Sequence, residues 1–290
     1  MQWKTFCIAR NLPYIQATVA LGLDFLQSLF AKGLGYSALN TARSALSSII
    51  DLQSDILFGS HPDVKLYMKG VFNAHPPKPR YISTWNPTQV LTFLQSWYPA
   101  GQISIDKLVM KITMLIMLIT GQRPQILSRL RVDSMKSTND TFEFALNALD
   151  LKQSRPGYKP QTIVLKSFPT NPKLCIVKYL SAYLERTALF RKDIKQLFMT
   201  TTKPYRVASA NSISRWLKNV LREAGIDTEQ FSAGSSRAAS TSAAKQAGLP
   251  IDQILKAGGW TKQDTFTRFY DRDILPCSFG DTILTRVPRV

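Results

Sequence analysis

Apolar residues recur at helical spacing through much of this chain. Between residues 13 and 32, Val19, Leu23, Leu26 and Phe30 form one stripe, and Gly33 is placed to end the helix they predict. Ser37 can cap a second helix carrying Leu39, Leu46, Ile49 and Ile50, while Val64, Met68, Val71 and Phe72 mark a third. Pro76, Pro77 and Pro79 then fall within four positions, which forbids a helix and favours a stiff extended connection. The pattern therefore predicts a helical domain over residues 1–74, a linker over 75–85 and a second domain over 86–290.

The second domain opens on Asn86-Pro87, a cap followed by proline at the first helical position, with Val90, Leu91, Leu94 and Trp97 as the buried stripe. Residues 103–120 are the most apolar segment. Asp106, Lys107 and Lys111 interrupt it, so it reads as a buried helix and not as a membrane span. Residues 141–146 and 162–165 are short β-prone runs around Lys152, Arg155, Pro156 and Gly157, predicting a β-hairpin with a basic tip. Helices return over 173–187 and over 209–224, where Ile213, Trp216, Leu217, Val220 and Leu221 share a face. Two short helices flank Gly248-Leu249-Pro250 and another approaches Tyr270. The expected class is mainly α with one small antiparallel sheet, and no internal repeat is present.

Charge changes the picture. Lys and Arg total 37 against 19 Asp and Glu, a net charge of +18, and both parts share it: residues 1–80 carry 8 basic and 4 acidic side chains, residues 81–290 carry 29 and 15. A polyanion is the natural partner of such a chain. Cys7, Cys175 and Cys277 lie far apart with no C-x-x-C pair, which suggests neither a disulfide framework nor a zinc site and fits a reducing compartment. The amino terminus lacks the apolar stretch of a signal peptide, so an intracellular protein without a membrane segment is expected.

Metal-free phosphodiester chemistry needs guanidinium groups on the non-bridging oxygens, a nucleophile and a proton donor for the leaving oxygen. In Thr120-Gly121-Gln122-Arg123 an apolar helix runs into a glycine turn that releases an arginine beside the core. Phe231-Ser232-Ala233-Gly234-Ser235-Ser236-Arg237 places a second arginine after small residues. Ala257-Gly258-Gly259-Trp260 gives a tight turn and an aromatic N–H donor, and Phe266, Phe269 and Tyr270 follow on adjoining helical positions. Taken singly, each has an ordinary structural explanation as an ion-pair arginine, a capped helix start, a packed tryptophan or a core tyrosine.

The order Arg123, Lys152, Arg237, Trp260, Tyr270 resembles the catalytic set of the tyrosine recombinases, whose pattern is Arg, Lys, His-x-x-Arg, His or Trp, and Tyr. Arg237 and Trp260 are 23 positions apart, matching that family, while Trp260 and Tyr270 are separated by one residue more than in many bacterial members. The phrases Ser236-Arg237-Ala238-Ala239-Ser240, Ile251-Asp252-Gln253-Ile254-Leu255 and Thr265-Phe266-x-x-Phe269-Tyr270 look like recombinases of eukaryotic DIRS-type or Crypton-like mobile elements. The resemblance implies a helical core-binding domain followed by a mixed α/β catalytic domain with a C-terminal tail. It implies that Arg123 and Arg237 clamp the scissile phosphate, Trp260 supports it, Tyr270 attacks to form a 3′-phosphotyrosyl bond, and Lys152 protonates the leaving 5′ oxygen. Lys159 shares the hairpin, so the choice of Lys152 depends on where the turn closes. The partner implied is double-stranded DNA, bound between two domains by a dimer to tetramer on paired sites, in the nucleus and without a cofactor. Arg43, Lys78, Arg80, Lys152, Arg155 and Lys159 are the candidate DNA contacts.

The chain departs from the pattern at two places. Gly234 occupies the usual histidine position, and the only histidines, His61 and His75, lie in or before the linker. Ile126 stands where an acidic residue usually follows the first arginine. Two readings thus stay open, an active or weakened recombinase and a DNA-binding protein that keeps the fold without catalysis. A type IB topoisomerase and a metal-dependent transposase built on Asp133, Asp140 and Asp150 are the weaker alternatives.

Overall fold

The computed structural model describes residues 2–77, 81–147 and 162–275, which form two compact units divided between Arg80 and Tyr81. The first contains α1 (Gln2–Ile8), α2 (Val19–Ala31), α3 (Tyr36–Ser47), a 3-10 turn (Phe58–Ser60) and α4 (Pro62–Ala74). Its core gathers Trp3, Phe25, Leu26, Leu29, Leu39, Leu46, Phe58, Val64, Met68 and Val71. Here α2 begins later than the apolar stripe suggests, because the Thr18 hydroxyl caps it by accepting the Leu21 N–H at 3.2 Å. Gly35, not Ser37, takes the cap position of α3. The imidazole of His61 accepts the Asp63 N–H at 3.3 Å and caps α4, while His75 ends that helix edge-on to Phe30. Both histidines therefore have structural work in the first unit.

The second unit contains β1 (Ser83–Trp85), α5 (Pro87–Gln95), α6 (Ile105–Thr120), α7 (Pro124–Leu127), β2 (Met135–Ser137), β3 (Thr141–Phe144), β4 (Ile163–Lys166), α8 (Ile176–Arg191), α9 (Ala210–Glu223), α10 (Ser235–Gln246), α11 (Ile251–Gly258), α12 (Gln263–Phe269) and β5 (Asp273–Leu275). The two β-prone runs do pair antiparallel: Phe142 faces Leu165 and Phe144 faces Ile163, all four buried, as a period of two requires. β2 adds a third strand on the other side of β3. The segment joining β3 to β4, with Lys152, Arg155 and Lys159, lies outside the described residues, as do Lys78 and Arg80.

One boundary needs correction. Residues 81–85 were expected in the linker, yet β1 pairs parallel with β5 in the register Ser83–Asp273, Thr84–Ile274 and Trp85–Leu275, and Trp85 is buried. A parallel strand supplied from the far end of the unit leaves no local signal, because its partner lies almost the whole unit away in sequence.

α6 crosses the core with every residue from Leu108 to Met117 buried, Lys111 among them. The Lys111 ammonium donates to the Leu94 and Trp97 carbonyls, each at 2.7 Å, and lies 3.8 Å from the centroid of the Tyr179 ring. It thus adds a donor to two carbonyls at and just past the end of α5, which also accept from the Trp97 N–H and the Tyr179 hydroxyl. Burial pushes its pKa down from the usual 10.5 to about 7. Between those two values the unfolded chain binds the proton that the folded chain has released, so stability should rise with pH over that window and be flat in this contribution below it. Chemical unfolding across pH 7 to 10, compared with Lys111→Met, checks this: the variant should lose the slope.

Among the described residues no helix is long and apolar enough to cross a membrane, and no cluster of three His, Cys, Asp or Glu side chains could hold a metal. Asp133 is held by Arg131 through paired bonds of 2.9 and 2.6 Å, which keep its carboxyl below the usual range. Asp150 lies outside the described residues.

Candidate active site

α10 is the element on which the site is built. It packs against α5, α6, α11, β1 and β5, and it buries Ser235, Ser236, Thr241 and Ser242 besides Arg237. A run so rich in hydroxyls has poor intrinsic helix propensity, and it survives here because those hydroxyls find acceptors. Ser236 donates to the Ala233 carbonyl at 2.7 Å and Thr241 to the Arg237 carbonyl at 2.7 Å. Ser235 accepts the Trp85 indole N–H at 2.8 Å and donates to the Ser232 carbonyl at 2.7 Å.

Arg237 is 1% exposed. Its guanidinium donates to the Gly121 carbonyl at 2.8 Å and the Gly258 carbonyl at 2.5 Å, joining the ends of α6 and α11. It lies 3.8 Å from the Trp260 ring centroid and 5.1 Å from that of Tyr270. The two rings are themselves 4.7 Å apart, and Phe266 backs the tryptophan at 5.4 Å. Burial, and then the neighbouring Arg123 charge, lower the Arg237 pKa to about 10, with Tyr270 acting in the opposite sense. The guanidinium remains charged at neutral pH. Arg237 Nε and Trp260 Nε1 are both buried without a hydrogen-bond partner among the described residues. Leaving such a donor unpaired costs roughly 1–3 kcal/mol, so this stack favours an acceptor oxygen.

Glycine makes the close packing possible. A Cβ on Gly258 would stand 1.9 Å from the Trp260 ring, so the indole can lie against α11 only if that side chain is absent. Gly121 closes α6 in the left-handed region at φ 59° and turns the chain toward Arg123. Gln122 ties this turn to α11 by donating to the Ala257 carbonyl at 2.9 Å.

Arg123 caps α7 through its carbonyl, which accepts the Ile126 N–H, is half-buried, and its guanidinium makes no hydrogen bond or ion pair with a described residue. Its neighbour Ile126 is buried in the core. The structure thus brings Arg123, Arg237, Trp260 and Tyr270 together. Gly234 sits one position before α10 with ordinary right-handed angles, φ −71° and ψ −17°. α10 starts at Ser235. The nearest atom a Cβ on Gly234 would meet is Ser232 Oγ at 3.8 Å, and that hydroxyl is 2.8 Å from the Tyr81 hydroxyl. Arg43, in the first unit, is half-buried and donates to the Gly59 carbonyl at 3.4 Å.

Ser242 is absent from the candidates drawn from sequence. Its hydroxyl donates to the Tyr270 carbonyl at 2.8 Å and accepts the Arg272 N–H at 3.0 Å. The only sequence signal for it is the density of hydroxyl residues after Arg237, in a helix that turns out to be buried.

A model of the phage integrase family matches residues 87–274. Against curated protein sequences there is no match. Among solved structures, the XerH site-specific recombinase bound to its difH substrate before cleavage is similar at a TM-score of 0.57 and 14% identity, covering 92% of this chain and 69% of that one. A lambda integrase dimer on a COC′ core site gives 0.53 and 13%, covering 93% and 70%. The Tn1549 transposon integrase in complex with transposon right end DNA gives 0.52 and 15%, covering 94% and 86%. At these identities the likeness is one of fold.

Proposed function

This chain belongs to the phage integrase family of tyrosine recombinases, and on that premise we propose that it binds double-stranded DNA and cuts and rejoins strands through a 3′-phosphotyrosyl bond at Tyr270. The observation that carries the reading is the single stack of Arg237, Trp260 and Tyr270, with two buried donors unpartnered beside a nucleophile and Arg123 adjacent. In the reaction, Arg123 and the remaining donors of Arg237 hold the non-bridging oxygens, and the Trp260 N–H supplies a further bond. The Tyr270 hydroxyl loses its proton to solvent as its oxygen attacks phosphorus, the bond to the 5′ oxygen breaks, and that oxygen takes a proton from Lys152, which solvent reprotonates. The tyrosyl ester conserves the energy of the backbone bond, so rejoining requires neither nucleotide hydrolysis nor a cofactor.

A phosphate must displace the rings that now cover Arg237, which makes DNA binding and site opening one event. The partner is duplex DNA held by both units, with dimers to tetramers on paired sites, as the DNA-bound dimer of lambda integrase suggests by analogy. Lys78, Arg80, Arg155 and Lys159 are the proposed backbone contacts along with Arg43, whose bond to Gly59 leaves other guanidinium donors. The mobile-element setting, and the nuclear location that follows from it, rest on the DIRS- and Crypton-like phrases around Arg237, Ile251 and Tyr270.

A nicked suicide duplex carrying the parent element's terminus tests the reading: a covalent protein–DNA adduct is expected. A second reading, a DNA binder without turnover, is favoured by Gly234 and predicts affinity without any adduct. In either case affinity should fall steeply with salt, because neutralising phosphates with a +18 chain releases counterions. Binding measured from about 50 to 200 mM salt should lose on the order of 10³-fold for six or more phosphate contacts.

A further inference from the structure

We propose that Ser242 is a positioning residue for strand cleavage, one hydroxyl that seats the backbone of Tyr270 beside Arg237. The inference rests on Tyr270 being the nucleophile.

Ser242 is 1% exposed and sits on α10 five residues after Arg237, so the arginine and the serine move as one rigid body. Its hydroxyl is saturated by the backbone on both sides of the nucleophile, donating to the Tyr270 carbonyl and accepting from the Arg272 N–H. A hydroxyl that both donates and accepts fixes position and direction together, which an alanine cannot imitate. α12 ends at Phe269, and the chain there is held by the Tyr270 and Asp271 N–H groups, both donating to the Phe266 carbonyl. Two further ties follow: Lys245, also on α10, pairs with Asp271, and β5 joins β1.

With the backbone held in this way, the Tyr270 ring can still turn about its side-chain torsions. Of these ties, the Lys245–Asp271 pair is the most exposed and so contributes least. The Ser242 bonds are shielded from water, and they act on the residue that must be placed within tenths of an ångström of phosphorus.

Wild type, Ser242→Ala and Ser242→Thr would be compared on the nicked duplex for DNA affinity, single-turnover adduct formation and hydrogen exchange at the Arg272 amide. Ser242→Ala should bind DNA as wild type does, form adduct roughly 10- to 100-fold more slowly, as expected for a misplaced reacting group, and expose the Arg272 amide. Ser242→Thr, which keeps the hydroxyl, should restore both readouts toward wild type. Wild-type adduct rates in Ser242→Ala, or an Arg272 amide that stays protected, would overturn the proposal. Should the wild-type protein itself form no adduct, the recombinase reading fails, while the Arg272 exchange still decides whether Ser242 holds the backbone after Tyr270.

Discussion

Tyr270→Phe is expected to abolish the covalent adduct on a nicked duplex while leaving DNA affinity nearly unchanged. The substitution removes the phenol oxygen, which interacts with the Arg237 guanidinium, and keeps the ring, which packs 4.7 Å from Trp260 and 5.1 Å from that guanidinium. The backbone that Ser242 holds is untouched by the change. No described tyrosine other than Tyr270 is stacked on the Arg237 guanidinium, so no other phenol is placed to substitute for it. The measurement is a denaturing gel beside a binding titration. An undiminished adduct would move the nucleophile elsewhere, and a large loss of affinity would mean that the phenol oxygen organises the unbound site.

Gly234→His is expected to raise the rate of adduct formation by about 10²-fold or more, the lower range for a positioned acid–base group. The backbone there is ordinary right-handed, so a side chain costs no strain, and the nearest atom to its Cβ would be Ser232 Oγ at 3.8 Å, an ordinary contact. The imidazole would start from the residue that precedes α10, three positions before Arg237. Neither existing histidine can stand in, because His61 and His75 are engaged at the two ends of α4 in the first unit. Single-turnover rates with and without the substitution, together with rescue of the starting protein by free imidazole, measure the effect. If Gly234→His binds DNA equally well yet forms no more adduct, the missing imidazole is not the limiting defect, and the non-catalytic reading leads.

The proposed site residues are legible through resemblance: the order Arg123, Arg237, Trp260, Tyr270 is similar to a known family's catalytic set, and the four lie near one another in the structure. Gly234 is equally plain, since the absence of a histidine is visible without coordinates. The helices are legible where one face is buried and the other solvated: α9, with Ile213, Trp216, Leu217, Val220 and Leu221, begins and ends within a residue of its expected span. The β3–β4 pairing is legible from its period of two.

Tertiary structure alone decided what depends on partners distant in sequence. β1 became a strand only because β5, at the other end of the unit, pairs with it, so no local pattern could place residues 81–85 outside the linker. The burial of Lys111 was decided by one carbonyl from α5, one from the chain just after it and a ring from α8, which together admit a charged residue where hydropathy alone would not. Ser242 gains its role from Tyr270 and Arg272, 28 and 30 residues on, and the covering of Arg237 depends on where Trp260 and Tyr270 come to rest. The sequence by itself determined which groups exist and which segments are helical, because chemical identity and periodicity are properties of the chain. Which groups are paired, buried or aimed was left to the fold, because hydrogen bonds and desolvation depend on distances that close only when remote segments meet.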